Sequence, residues 1–272
     1  MDADENVLSL QGMLPYLMHD ISENIHIYDC LESTNKTAKE PEFSGAGHGT
    51  VIIAETQTAG RGRYGKSFHS PPGCGLYITF ILNPEVLTFS TPTLITSFAA
   101  VTVCETIEAL CEKSPKIKWV NDIFLNNKKV CGILTESVNT LDNTQHTILG
   151  IGINITAPAE GFPPELQSTA GSLFGTSKPT VTKNHFTAEL INRILFSEDL
   201  YNEKKMLNKY KERMFLLGKS LLVKEPDASY EAVAIDIDEF GRLVVKNPEN
   251  EIMHLSSGEI SIIYQNSPEE MT

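Results

Sequence analysis

The sequence predicts an α+β fold in two parts, a mixed domain over residues 1–214 and a small all-β domain over 215–272. Three observations carry this. Short apolar runs at 51–55, 76–82 and 148–155 are bounded by glycine- and proline-rich segments, as strands are. A single long stretch, 91–113, places Leu94, Phe98, Val101, Glu105 and Ala109 at spacings of three and four, as a helix does. After Gly218, five short β-type runs follow one another in about fifty residues, which makes a small β-barrel. A chain of 272 residues, 41% of them apolar, is long enough for one large domain and one small one.

Taken in order, residues 25–28 alternate like a short strand, and Ser33-Thr34-Asn35 reads as an N-cap opening a short helix over 36–40. Residues 41–49 hold three glycines and a proline and form a loop. The strand at 51–55 is followed by a long turn-rich connection, 58–75, of the length that usually serves function. The next strand, 76–82, mixes aromatic and β-branched residues. In the 91–113 helix Thr91 can cap and Pro92 suits the first turn, so this helix should back the sheet. Residues 116–120 and 123–125 read as strands around Asn121-Asp122, and Asn126-Asn127-Lys128 turns the second into a hairpin with 130–137. Gly150 and Gly152 in the 148–155 strand let another group approach its backbone. A second long loop, 156–178, reads as mobile and functional, and residues 185–213 as helical with a basic C-terminal end. The barrel strands are expected at 220–224, 230–238, 242–246, 252–255 and 260–263.

The net charge of −13 disfavours the broad basic footprint that DNA or an anionic membrane requires. The longest unbroken apolar runs fall far short of the roughly 18 residues that span a bilayer, so no transmembrane segment is expected. The acidic start, Met1-Asp2-Ala3-Asp4-Glu5, is unlike a secretory signal. Five cysteines (Cys30, Cys74, Cys104, Cys111, Cys131) show neither CxxC spacing nor a histidine cluster, which suits reduced thiols in the cytoplasm better than a disulfide framework or zinc. The charge is uneven. Residues 55–68 and 113–136 together hold eight basic and three acidic side chains, net +5 in a chain that is −18 elsewhere. Islands of this kind suit a small polyanion, or are ordinary solvated lysines, as Lys113, Lys116 and Lys118 read on their own.

Four constellations carry chemistry. Gly60-Arg61-Gly62-Arg63-Tyr64-Gly65-Lys66 combines three glycines with three cations after a strand: glycines bring backbone N–H groups close to a ligand, and arginines offer fixed forks for carboxylate and phosphate. It lacks the Gly-Lys-Ser/Thr ending of a P-loop, and by itself it could equally be a flexible basic loop or an RNA-binding patch. Lys118-Trp119-Val120-Asn121-Asp122 puts an aromatic, an amide and a carboxylate at one strand end. Trp119 is either a core anchor or a ligand-stacking ring, and Asn121 and Asp122 either turn residues or ligand contacts. Lys129 stands three positions before Gly132, and Gly150-Ile151-Gly152-Ile153-Asn154 ends a strand in an asparagine.

In this order and combination, together with Glu32-Ser33-Thr34-Asn35 and Gln57, the motifs resemble the biotin protein ligase family. The resemblance runs from residue 32 to 154, and residues 218–264 look like that family's small C-terminal barrel. It implies a class II synthetase-like, lipoate-ligase-like mixed sheet with helices on one side plus an SH3-like barrel. It also implies an ATP-dependent ligase that converts biotin to biotinyl-5′-AMP and transfers it to a lysine of a biotin carboxyl carrier domain. A lipoate ligase of the same fold, or a non-catalytic biotin-sensing or RNA-binding module, are the other readings.

The resemblance assigns residues by position. Ser33, Thr34, Asn35, Gln57, Gly60, Arg61, Gly62, Arg63, Lys129, Gly132 and Gly152 would hold biotin; a buried ureido group needs such polar partners. Arg63, Lys66, Phe68, Trp119, Asn121, Asp122, Lys129 and Asn154 would hold ATP, Asn154 reading the adenine. Lys129 and Arg63 would neutralise carboxylate and phosphate, and Asp122 would orient or deprotonate the acceptor amine or else support the loop. Mg²⁺ would be held mainly by the ATP phosphates. The family's commonest pattern has arginine at Tyr64 and Lys66, tryptophan at Phe68 and proline at Val120, so tuned affinity is expected. Only 32 residues precede Ser33, too few for a winged helix-turn-helix, so the monofunctional, cytoplasmic type without DNA binding is expected, its oligomeric state open.

Overall fold

The computed structural model describes residues 7–43, 45–87, 89, 91–139, 145–224 and 229–263. The larger part is a seven-stranded mixed sheet of order β1-β2-β3-β7-β6-β5-β4. Its strands are β1 (Ile25–Leu31), β2 (Thr50–Gln57), β3 (Gly75–Leu82), β4 (Lys116–Lys118), β5 (Asp122–Leu125), β6 (Lys128–Asn139) and β7 (Gln145–Asn154). β1 and β2 run parallel, joined through α2 (Thr34–Thr37), and the remaining pairs are antiparallel. The other helices are α1 (Leu10–Met13), α3 (Pro84–Leu87), α4 (Pro92–Cys111), α5 (Lys183–Phe196) and α6 (Glu203–Arg213).

The period of two along the strands sorts residues onto two faces. Val51 and Ile53, Leu76, Ile78, Phe80 and Leu82, and Leu149, Ile151 and Ile153 enter the main core with α4, α5 and α6. Their neighbours Ile52, Ile81 and Ile148 turn to the other face, where they form a small cluster with Ala38 and Phe43. α4, α5 and α6 therefore cover one side. The opposite side carries only the short α2, and the part of it where Thr79, Gly132, Gly150 and Gly152 lie is left for a ligand.

α4 is the central helix. Thr91 caps it, accepting from Leu94 N at 3.3 Å, Pro92 occupies the first turn, and Glu112 ends it in the left-handed region at φ 54°. By length and composition this 20-residue helix could cross a membrane, but 78% of its most apolar window is buried inside the fold. Burial on nearly all sides leaves its threonines without water, and Thr96, Thr102 and Thr106 each donate to the carbonyl four residues back.

Three expectations are corrected. The helical region 185–213 is two helices, because Ser197 leaves the helix at ψ 89° and Asn202 caps α6 afresh, accepting from Lys205 N at 3.0 Å. The strand expected over 116–120 stops at Lys118, since Trp119 and Val120 turn inward and are 3% and 5% exposed. The short helix begins at Thr34, not Lys36. Ser33 stands at the N-cap without a side-chain cap bond and faces the ligand side instead.

The C-terminal part is a five-stranded antiparallel sheet of order β11-β10-β9-β8-β12: β8 (Ser220–Lys224), β9 (Ser229–Ile237), β10 (Leu243–Lys246), β11 (Ile252–Leu255) and β12 (Glu259–Ile262). It shares one continuous apolar core with the larger part. Trp119 Nε1 donates to Gly241 O at 3.0 Å and Lys211 pairs with Asp236 at 2.7 Å, which fastens the barrel to the segment after β4 and to α6.

Candidate active site

A cavity of about 450 Å³ lies between the sheet, the glycine-arginine loop and the barrel. One end is an uncharged polar floor. Ser33, Thr34 and Asn35, all under 5% exposed, are delivered by the turn from β1 into α2. Gln57, at the end of β2, ties them together: its Oε1 accepts from Thr34 N at 2.9 Å and Thr34 Oγ1 at 3.2 Å, while its Nε2 donates to Ser70 Oγ at 2.9 Å. Thr79 on β3 lies within 2.8 Å of Thr34 Oγ1 and 2.7 Å of Asn35 Oδ1. Gly132 and Gly152 are register partners on β6 and β7, and the Phe68 ring lies against both. A Cβ on Gly152 would come within 2.6 Å of that ring, so only glycine admits a flat group here.

The glycine-arginine loop is a compact hairpin. Gly62 N donates to Lys66 O at 2.7 Å and Phe68 N to Gly60 O at 2.8 Å, with Tyr64 and Gly65 turning the tip at φ 56° and 73°. A Cβ at Gly60 would lie 2.5 Å from Phe68 O, so this glycine is needed for the loop to close on itself. Arg63 points inward, donating to Asn121 Oδ1 at 3.3 Å and to Tyr64 OH at 3.0 Å. The loop also reaches the barrel, because Tyr64 OH accepts from Gly258 N at 2.9 Å and Lys66 pairs with Glu259.

The other end of the cavity is charged. Lys129 Nζ meets Asp122 Oδ1 at 2.6 Å, both side chains partly exposed. Lys118 joins them: burial first, with Lys129 and Lys66 beside it, holds its ammonium below the ordinary lysine range against the pull of Asp122 and Glu259. Asn121 fixes the strand end, exchanging bonds with Ile133 through Nδ2 (2.8 Å) and its own carbonyl (3.0 Å).

Most residues expected at the site therefore meet around one cavity: Ser33, Thr34, Asn35, Gln57, Arg61, Gly62, Arg63, Lys66, Phe68, Trp119, Asn121, Asp122, Lys129, Gly132 and Gly152. Trp119 is a core anchor that also reaches the cavity wall. Two stand apart. Gly60 lies beneath the loop, and Asn154 does not line the cavity but donates to Gly171 O at 2.8 Å. That bond explains the segment 156–178, which is pinned along β6 by Lys129 N to Thr169 O and Gly171 N to Lys129 O, both 2.8 Å. Sequence reasoning missed Thr79, Glu136 and the barrel residues Gly258 to Ser261, and it marked Gly150 only as a point of close backbone approach. The parity of β3, β6 and β7 would have exposed Thr79 and Glu136, with Gly150, as residues of the ligand face, whereas nothing local marks the barrel contribution.

A profile of the biotin/lipoate A/B protein ligase family matches residues 27–154, and one of the biotin protein ligase C-terminal domain matches 216–262. A Bacillus subtilis bifunctional ligase/repressor BirA is 32% identical over 249 residues, covering 89% of this chain and 75% of that one. A Paracoccus denitrificans biotin--[acetyl-CoA-carboxylase] ligase is 29% identical, covering 80% and 92%. The structure of an Aquifex aeolicus biotin protein ligase in complex with biotin and ATP superposes with a TM-score of 0.74 at 28% identity, covering 89% of this chain and all of that one. The chain belongs to the biotin protein ligase family.

Proposed function

We propose that this ligase activates biotin with ATP to biotinyl-5′-AMP and transfers the biotinyl group to one lysine of a biotin carboxyl carrier domain. The observation that carries the reading is the polarity of this cavity, uncharged hydrogen-bonding groups at one end and Lys129, Lys118, Arg63 and Lys66 at the other. A cyclic urea with a carboxylate on a flexible arm has the same polarity. So does the relative's bound pair, biotin and ATP.

In the first step a carboxylate oxygen of biotin attacks the α-phosphorus and pyrophosphate leaves. Two anions must approach each other, so catalysis is mainly placement and charge compensation. Lys129 suits the shared point between carboxylate and α-phosphate, Arg63 and Lys118 suit the phosphates, and Phe68 covers the apolar arm against Gly132 and Gly152. In the second step the acceptor ε-amine attacks the acyl carbon and AMP leaves. The amine must lose a proton, and Asp122, one of two carboxylates lining the cavity with Glu259, suits that role once Lys129 has turned to the ligand. Among the described residues no three His, Cys, Asp or Glu side chains converge on a metal site. Asp122 and Glu259 each face a lysine, so Mg²⁺ would arrive with the ATP phosphates and shield their charge. Five free cysteines, four of them buried, suit a reducing compartment, and we assign the protein to the cytoplasm.

The test is incubation with ATP, Mg²⁺ and biotin, then with a carrier domain. Pyrophosphate should appear before acceptor is added, and one carrier lysine should then gain a biotinyl group by mass spectrometry. Neither product forming would end the reading.

A further inference from the structure

Glu136 on β6 stands behind the polar floor, outside the cavity lining. Both of its oxygens are engaged: Oε2 accepts from Asn35 Nδ2 at 2.9 Å, and Oε1 pairs with Lys39 Nζ at 2.6 Å. Burial pushes this carboxyl up, but the hydrogen bonds from Lys39 and Asn35 outweigh it and hold it below the usual range, so it is ionised at neutral pH. An ionised carboxylate only accepts. It therefore keeps the nitrogen end of the Asn35 amide toward itself, and the amide's second hydrogen goes to Leu134 O at 3.3 Å.

The oxygen end of Asn35 is left facing Thr79, in space that exists because residue 150 is glycine. A Cβ there would lie 2.0 Å from Asn35 Oδ1. Thr79 is fully buried and has one hydroxyl proton with two acceptors in reach, Asn35 Oδ1 at 2.7 Å and Thr34 Oγ1 at 2.8 Å. An amide oxygen cannot donate, so with Asn35 held this way it needs that proton. Thr34 has its own proton for Gln57 Oε1, which leaves lone pairs of Thr34 Oγ1 free on the cavity side.

We propose that Glu136 is a specificity-determining positioning residue: through Asn35 and Thr79 it keeps Thr34 Oγ1 an acceptor, so the floor selects a cyclic urea presenting an N–H at that point. The inference rests on the biotin-ligase reading above and adds a residue that touches no substrate. Replacing the carboxylate by an amide lets a nitrogen face Asn35 and turn it over. Asn35 would then donate to Thr79, Thr79 would donate to Thr34, and the lone pair meant for the ligand would be occupied.

The experiment is calorimetric titration with biotin and with the two carbamate analogues of biotin in which one ring N–H is replaced by oxygen. Wild type should prefer biotin to one of the analogues by about tenfold or more, the cost of one unmet buried hydrogen bond. Glu136→Gln should lose about tenfold in biotin affinity and bring that preference below threefold, with ATP affinity within twofold of wild type. Adding Thr79→Val to Glu136→Gln removes the messenger, so Thr34 is no longer occupied and the preference for biotin over the analogue should recover to about tenfold or nearly so. Biotin affinity unchanged in Glu136→Gln, equal losses for biotin and analogue, or no recovery of the preference in the double variant would each overturn the relay. Wild-type protein binding no biotin at all would instead overturn the ligase reading, and the relay with it.

Discussion

The two ends of the cavity solve the same problem, polar groups waiting for a ligand, in opposite ways. At the floor, Thr34, Asn35, Gln57, Thr79 and Ser70 satisfy one another through uncharged hydrogen bonds and are carried on or beside strands of the main sheet. At the phosphate end the groups are full charges, Lys129 with Asp122 and Lys66 with Glu259, on partly exposed side chains borne by strand ends, a hairpin loop and the barrel. Buried neutral networks are costly to rearrange and hold one geometry. Exposed ion pairs contribute little to stability and exchange partners readily. The floor is thus built to discriminate and the charged end to give up its internal partners when phosphates arrive.

Removing Lys129 gives the largest expected effect. Lys129→Ala takes away the cation nearest the site where two anions react and leaves Asp122 unopposed beside them. Adenylation, followed by biotin-dependent pyrophosphate exchange, should fall by about 10²–10³, the range for deleting one electrostatic stabiliser. Thermal stability should barely change, since the pair it breaks is partly exposed. A rate within fivefold of wild type would show that charge at this end is spread over the other cations.

Gly150→Ala tests the opposite end. The new methyl would collide with Asn35 Oδ1, and Asn35 is the far end of a side chain but is held by Glu136, Leu134 O and Thr79. Overpacking of this kind costs about 1–3 kcal/mol, so the melting temperature should drop, and biotin affinity should fall by tens of fold while ATP affinity holds. Equal losses for both ligands would mean that the two ends are not mechanically separate.

The same contrast explains what could be read from sequence. The charged end was legible because its groups cluster locally: Gly60 to Lys66 and Lys118 to Asp122 are contiguous, and Lys129 lies in the hairpin that follows. The floor was legible only at Ser33, Thr34, Asn35 and Gln57. Thr79 and Glu136 meet Asn35 from 44 and 101 positions away, contacts set by sheet register and invisible to local pattern. Asn154 shows the converse. The family resemblance assigned it to adenine, and in the structure its Nδ2 donates to Gly171 O, a bond that depends on where the 156–178 segment lies. The barrel's contribution, Gly258 to Glu259, comes from the far end of the chain, 194 positions beyond Tyr64 in the case of Gly258.

Lys118 offers a smaller effect that reads the charged end through pH. Its ammonium is held low by burial and by Lys129 and Lys66, so in the free protein it loses its proton at less alkaline pH than an ordinary lysine. Bound phosphates stabilise the ammonium and raise it again. The nucleotide complex therefore holds more protons than the free protein, and ATP affinity must fall as pH rises through the free-state value of Lys118. Calorimetry in buffers of different ionisation enthalpy should detect proton uptake on the alkaline side, and Lys118→Met should abolish it. Uptake that persists in the variant would assign it to another group.

The smallest expected effect lies at the latch between loop and barrel. Tyr64 OH accepts from Gly258 N and from Arg63, whose guanidinium carbon also lies 4.9 Å from the Tyr64 ring centroid. Tyr64→Phe keeps the ring and removes both acceptor bonds. The side chain is 57% exposed, so water replaces part of what is lost, and the net cost should sit near the low end of about 0.5–1.5 kcal/mol. That corresponds to a two- to fivefold rise in KM for ATP, because Arg63 is then placed only by Asn121, with biotin affinity unchanged because the floor has no bond to Tyr64. Added salt should narrow the ATP difference between the two proteins as it screens the exposed Lys66 and Glu259 pair beside the latch. If Tyr64→Phe instead weakened biotin and left ATP untouched, the hairpin would act as a cover over the floor, and the division between a fixed end and an exchangeable end would have to be redrawn through the loop.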